Sequence, residues 1–154
     1  MKLNPIKKRR APKHFIPNIL TLLNMFLGFL AIGLILNGQP LKAGVFIIVA
    51  GLFDVFDGKI ARMLGIESQF GVEFDSMADT VSFCVVPSIL VYSLYVDGMP
   101  PLLGSLIAFI PLMFGTIRLA KFNVLTERIG SKLFLGIPTT LVGALLGSFI
   151  LTAL

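Results

Sequence analysis

Charge is scarce in this 154-residue chain: 14% of residues are Asp, Glu, Lys or Arg, against 56% that are hydrophobic. That balance excludes an ordinary soluble domain, in which about a quarter of residues are charged. Cysteine is limited to Cys84, which excludes an internal disulfide. Histidine is limited to His14, which sits beside Lys13 and reads as an interfacial residue. Neither residue falls within 54–79, where the acids cluster, so the donor set there argues against zinc. Tryptophan is absent, and no stretch between apolar runs is long enough for a separate soluble domain.

Hydrophobic runs fill most of what remains, at 15–37, 41–56, 77–96, 101–117 and 133–154. Most approach the ~20 residues that a helix needs to cross a bilayer core. The pattern predicts an all-α, polytopic transmembrane helix bundle with five spans, forming one membrane domain over 1–154. Residues 1–14 form a basic lead-in to the first run. That run is longer than a signal-peptide core and no small-residue cleavage pattern follows, so a retained helix is expected.

Positive charge orients the bundle. Lys2, Lys7, Lys8, Arg9, Arg10 and Lys13 precede span one, and Lys59 and Arg62 end span two. Arg118, Lys121, Arg128 and Lys132 separate spans four and five, and only Lys42 lies on the opposite side. This asymmetry predicts a cytoplasmic N-terminus and a cytoplasmic active site. The net charge of +5 then belongs to the membrane surface rather than to nucleic-acid binding. Arg118 and Lys121 also fit simple snorkelling to the interface.

The segment DVFDGKIARMLGIESQFGVEFDSMAD, residues 54–79, sets Asp54, Asp57, Asp75 and Asp79 inside apolar surroundings. Carboxylates in hydrocarbon are costly and mark function by default. Helical spacing gathers Asp54, Asp57, Gly58, Ala61 and Arg62 within an arc of roughly 140°. Gly71, Asp75 and Asp79 share roughly 80° of the next helix. An antiparallel hairpin through MLGIESQ would converge all four acids, while Gly58, Ala61 and Gly71 would let a ligand approach the backbone. Several hard oxygen ligands select Mg²⁺, Mn²⁺ or Ca²⁺, and an Arg beside them suggests metal-bridged phosphate chemistry. The competing reading is a set of ion pairs or helix caps, Asp54 with Arg62 or Asp57 with Lys59. One Arg cannot compensate four buried acids at that depth.

The spacing D-x2-D-G-x2-A-R-x8-G-x3-D-x3-D is met by Asp54, Asp57, Gly58, Ala61, Arg62, Gly71, Asp75 and Asp79. It resembles the signature of the CDP-alcohol phosphotransferases. FIPNILTLLNMFLG, FGVEFDSMADTVSF, RLAKFNV and GIPTT are similar to the phosphatidylserine synthase branch. The resemblance implies transfer of a phosphatidyl group from CDP-diacylglycerol to L-serine, with CMP released. It implies that Asp54, Asp57, Asp75 and Asp79 bind Mg²⁺ or Mn²⁺, two ions per site, and that Asp79 takes the hydroxyl proton. It places Pro17, Asn18, Thr21, Gly58, Ala61, Arg62, Ser68 and Gly71 at the CDP-diacylglycerol. Arg118 with Asn123 is proposed for the serine carboxylate. Family members typically have six spans, so either a further helix or two merged ones are expected beyond the five counted.

Other features leave alternatives open. Asn18 and Thr21 also fit an ordinary helix-end pair. Glu73 lies off the acidic face and is expected to point to the loop or a neighbouring helix. Pro87, Pro111 and Pro138 read as kinks or helix starts. Gly143 and Gly147 form a small-residue face suited to packing within the protomer or to a homodimer, the assembly expected. Glycerol 3-phosphate or inositol phosphate could replace serine as acceptor. A divalent-cation transporter or a non-catalytic membrane subunit are readings of a different class.

Overall fold

The computed structural model describes residues 15–65 and 68–129, all of them in helices or short turns. In chain order these are α1 (Phe15–Leu36), α2 (Pro40–Leu64), α3 (Gln69–Asp79), a π-helical segment (Thr80–Val85), α4 (Val86–Tyr95) and α5 (Pro101–Ile129). The basic segment 1–14 and span five at 133–154, with Pro138, Gly143 and Gly147, lie outside the described residues.

The turns follow from their residues. Gly38 ends α1 with φ of 69°, a conformation that suits a residue without Cβ. Gly38 N–H reaches Ile35 C=O and Gln39 N–H reaches Leu34 C=O, which satisfies the last carbonyls of the helix. Pro40 then opens α2, where its missing N–H costs nothing. Ser68 caps α3, its hydroxyl accepting from Gly71 N–H at 3.0 Å. Asp97 and Gly98 turn the chain before Pro101 opens α5.

Small residues bring α1 and α2 together. Ala31 and Ile35 pack with Ala43, Ile47 and Ala50, and Phe83, Val86 and Leu90 complete the buried core. Gly28 marks the tightest approach of α1 to the π segment: a Cβ there would stand 2.5 Å from Ser82 Oγ. At Gly115 of α5 a Cβ would collide with Cys84 Sγ, so α5 leans on the same segment. Pro111 interrupts the backbone ladder of α5, and the following Leu112 N–H takes Ser88 Oγ of α4 instead.

The protein is a multi-pass membrane helix bundle. Asn18–Leu36, the continuous rod Gln69–Tyr95 and Pro101–Val124 are each long and apolar enough to cross a bilayer. Helix α2, counted as a span at 41–56, runs to Leu64 and so carries Asp54, Asp57 and Lys59 within it. The third span begins at Gln69 instead of 77, because the Ser68 cap starts the helix two turns before its apolar run. Helix α5 likewise passes the apolar limit at 117, placing Arg118, Lys121 and Asn123 on the helix rather than in a connection.

One expectation changes in form. The paired helices α2 and α3 were expected to pack as a hairpin, yet their backbones make little contact with each other. Helix α1 packs on both and bridges them. The result is a cleft between α2 and α3, with α1 behind it. Carboxylates on both walls repel one another, which disfavours direct closure of the pair.

Candidate metal and phosphate site

The cleft wall on α2 offers Asp54 and Asp57, one helical turn apart, and the wall on α3 offers Asp75 and Asp79. Carboxylate oxygens of Asp54, Asp57 and Asp75 all lie within 4.8 Å of one another. Asp57 is 3% exposed and Asp79 7%, whereas Asp54 and Asp75 are half-buried. Asp79 is not part of the three-carboxylate group; its side chain meets that of Asp54 and lies deeper. The structure therefore brings the acids to one place as a triad with a fourth behind it.

Helix α1 supplies the supports. Thr21 Oγ1 donates to Asp57 Oδ2 at 2.8 Å. Asn24 Nδ2 donates to Asp79 Oδ1 at 3.3 Å, and Ser82 Oγ donates to the Asn24 carbonyl oxygen at 3.0 Å. Thr21 and Asn24 stand at i and i+3, so one face of α1 reaches both walls. Asn24 is fully buried and was not singled out in the sequence. Its signal was available: a polar side chain in the middle of the apolar run FIPNILTLLNMFLG must find partners in the bundle.

Two carboxylate oxygens are left over. Asp57 Oδ1 and Asp75 Oδ1 are buried and have no hydrogen-bond partner among the described residues. A buried, unpaired carboxylate oxygen is expensive, and a divalent cation repays it. The donor set is all oxygen, as Mg²⁺ and Mn²⁺ require. These residues fit a hard cation. The competing pairing of Asp57 with Lys59 does not form, for Lys59 is exposed and Thr21 holds Asp57 instead.

The remaining residues fall in two places. Ser68, Gly71 and Asn18 meet at the N-terminus of α3, where a Cβ on Gly71 would lie 3.1 Å from Ser68 Oγ and 3.8 Å from Asn18 Oδ1. Gly58 follows Asp57 on α2 and is half-buried. The side chains of Pro17, Ala61 and Arg62 lie outside the described part, although their backbones belong to α1 and α2. On α5, Asn123 pairs with Ser76 Oγ, 3.0 Å from Nδ2 and 3.2 Å from Oδ1, and donates to Glu73 Oε2 at 3.4 Å. Its amide is thus engaged by α3, and Glu73 points to a neighbouring helix. Arg118, between the Gly115–Cys84 and Asn123–Ser76 contacts, has a buried Nη1 without a partner among the described residues.

Known proteins resemble this chain in sequence. The profile of a family described as CDP-alcohol phosphatidyltransferase matches residues 14–154. A CDP-diacylglycerol–serine O-phosphatidyltransferase of Helicobacter pylori (strain J99) is 36% identical over 127 residues, 82% of this chain and 53% of the relative. One of Bacillus subtilis (strain 168) is 37% identical over 130 residues, 84% of this chain and 72% of the relative. An archaetidylserine synthase of Methanothermobacter thermautotrophicus is 40% identical over 141 residues, 89% of this chain and 58% of the relative. The chain spans about half the length of most of these relatives.

Proposed function

The chain belongs to the CDP-alcohol phosphatidyltransferase family, and on that premise we propose that it transfers a phosphatidyl group from CDP-diacylglycerol to L-serine, giving phosphatidylserine and CMP. The observation that carries this reading is that Asp54, Asp57 and Asp75 each bring a carboxylate oxygen within 4.8 Å of the others, while Asp57 and Asp75 each have a buried oxygen without a partner among the described residues. Asp54, Asp57 and Asp75 would hold Mg²⁺ or Mn²⁺, with Asp79 beside them. Bound there, such ions neutralise phosphate charge and polarise the phosphorus–oxygen bonds.

The residues divide the work. The serine hydroxyl oxygen attacks the phosphorus that bears diacylglycerol, and the bond from that phosphorus to the CMP oxygen breaks. Asp79 accepts the hydroxyl proton, held in place by Asn24. Thr21 occupies one Asp57 oxygen and leaves the other, Oδ1, without a partner among the described residues. Asn18, Ser68 and Gly71, with Pro17, Gly58, Ala61 and Arg62, would receive the cytidine diphosphate. Arg118, whose buried Nη1 has no partner among the described residues, would pair with the acceptor carboxylate. The N-terminus and the acids would face the cytoplasm, and a homodimer is the proposed assembly.

Serine is supported over a phosphorylated acceptor on two grounds. The names of all three relatives contain serine as the acceptor or the product head group. A phosphate dianion also needs clustered cations, and among the described residues of α5 Arg118 is half-buried while Lys121 is exposed.

The deciding assay gives purified protein CDP-diacylglycerol and Mn²⁺, with serine, glycerol 3-phosphate or inositol phosphate in separate reactions, and measures CMP. Release with serine alone is expected. Release only with a phosphorylated acceptor moves the protein to a sister activity, and release with none removes the enzymatic reading.

A further inference from the structure

Asn24 carries more than its bond to Asp79. It is fully buried on α1, behind the cleft, and its Oδ1 has no partner among the described residues. In the structure Nδ2 faces Asp79 and Oδ1 points elsewhere. Ser82 donates to the backbone carbonyl of Asn24 and not to its side chain, and therefore does not satisfy Oδ1. An amide oxygen left bare in a protein interior is costly. A donor from a bound molecule would remove that cost.

The donor can be specified from its surroundings. Oδ1 shares a planar amide group with Nδ2, so it stands beside Asp79, the group assigned to the attacking hydroxyl. An amide oxygen only accepts hydrogen bonds, so the molecule that satisfies it must bring a donor, such as an ammonium N–H, and not a bare phosphate or carboxylate oxygen. Arg118 on α5 provides the opposite feature, a buried cationic N–H group at Nη1 without a partner among the described residues. One orphaned acceptor and one orphaned cationic donor complement the two charges of a free amino acid.

We infer that Asn24 is the specificity-determining residue for an amino alcohol: its Nδ2 positions Asp79 while its Oδ1 accepts a hydrogen bond from the ammonium group of the acceptor. The inference rests on the serine reading above and adds the atom that distinguishes serine from acceptors without an amine. A hydroxyl and an ammonium group on adjacent carbons bind to neighbouring oxygens, one to Asp79 and the other to Asn24. An acceptor lacking the amine leaves Oδ1 bare.

The experiment pairs side-chain removal with substrate-group removal, which isolates one contact from general damage. Full-length protein and the variants Asn24→Ser and Asn24→Leu are assayed with CDP-diacylglycerol and Mn²⁺. The KM for L-serine is measured with the inhibition constants of ethanolamine, which keeps the amine, and β-hydroxypropanoate, which lacks it. In Asn24→Ser the serine KM and the ethanolamine constant should rise about tenfold to a hundredfold, the range for a lost hydrogen bond to a charged group. The β-hydroxypropanoate constant and the KM for CDP-diacylglycerol should stay within about twofold, below the smallest coupling such a cycle resolves.

A uniform change in all three acceptor constants, or none, overturns the inference. Loss of CDP-diacylglycerol binding by both variants assigns Asn24 to the fold and overturns it as well. A wild-type protein that uses only phosphorylated acceptors removes the serine reading itself, an outcome separate from these.

Discussion

Thr21 and Asp57 are 36 residues apart in sequence and joined by a 2.8 Å hydrogen bond between their side chains. The bond ties α1 to α2 and occupies one oxygen of a carboxylate that is 3% exposed. The other oxygen, Oδ1, is buried and has no partner among the described residues. A hydroxyl in this position would act on a bound cation through the carboxylate that it orients.

Replacing Thr21 by Val keeps the shape and removes the donor. The Mn²⁺ concentration for half-maximal CMP release is expected to rise about tenfold or more, as for other groups that orient metal ligands. Thr21→Ser, which retains the hydroxyl, should behave like the wild type. Equal Mn²⁺ requirements for Val and wild type would make the bond a packing detail.

Metal removal tests the triad. Protein dialysed against a chelator should release no CMP, and Mn²⁺ should restore release. Asp54→Asn and Asp75→Asn should each weaken Mn²⁺ binding by about tenfold or more, read from the free-ion signal in electron paramagnetic resonance. That readout is independent of turnover. Binding unchanged in both variants would disconnect these carboxylates from the cation.

Asp79 has a different assignment from its neighbours and a different signature. Asp79→Asn should abolish CMP release while CDP-diacylglycerol binding stays within a few-fold of wild type, as measured by equilibrium binding in detergent. Binding and turnover falling together would take the proton-accepting role away from Asp79.

Gly28 and Gly33 differ by their surroundings alone. A Cβ at Gly28 would press on Ser82, whereas nothing lies within 4 Å of one at Gly33. Gly28→Ala should lower stability in detergent by about 1–3 kcal/mol, the usual cost of overpacking, and should disturb the Ser82 bond to Asn24. Gly33→Ala should be neutral or slightly stabilising through helix propensity. The midpoint of thermal unfolding compares them, and equal midpoints would remove the close contact.

Much of the fold was legible because hydrocarbon imposes a simple rule: apolar runs of sufficient length become helices, and the runs at 15–37, 77–96 and 101–117 all do. Helix ends were less legible. The Ser68 cap starts α3 before its apolar run and α5 continues to Ile129 past its own, and hydropathy registers neither. Asp54, Asp57, Asp75 and Asp79 stood out because charge in such surroundings is rare. Asn24 did not, because an uncharged amide is a weak signal without its partner.

By itself the sequence determined the helical class, the acidic residues and their faces, since these depend on composition and on the fixed turn of a helix. The tertiary structure alone decided that α2 and α3 stand apart with α1 behind them, and that Thr21 and Asn24 hold two of the four acids. It also decided which oxygens lack a partner among the described residues. Those outcomes depend on contacts between residues dozens of positions apart, where the close approach of small side chains sets the distance between helices and helical periodicity carries no information.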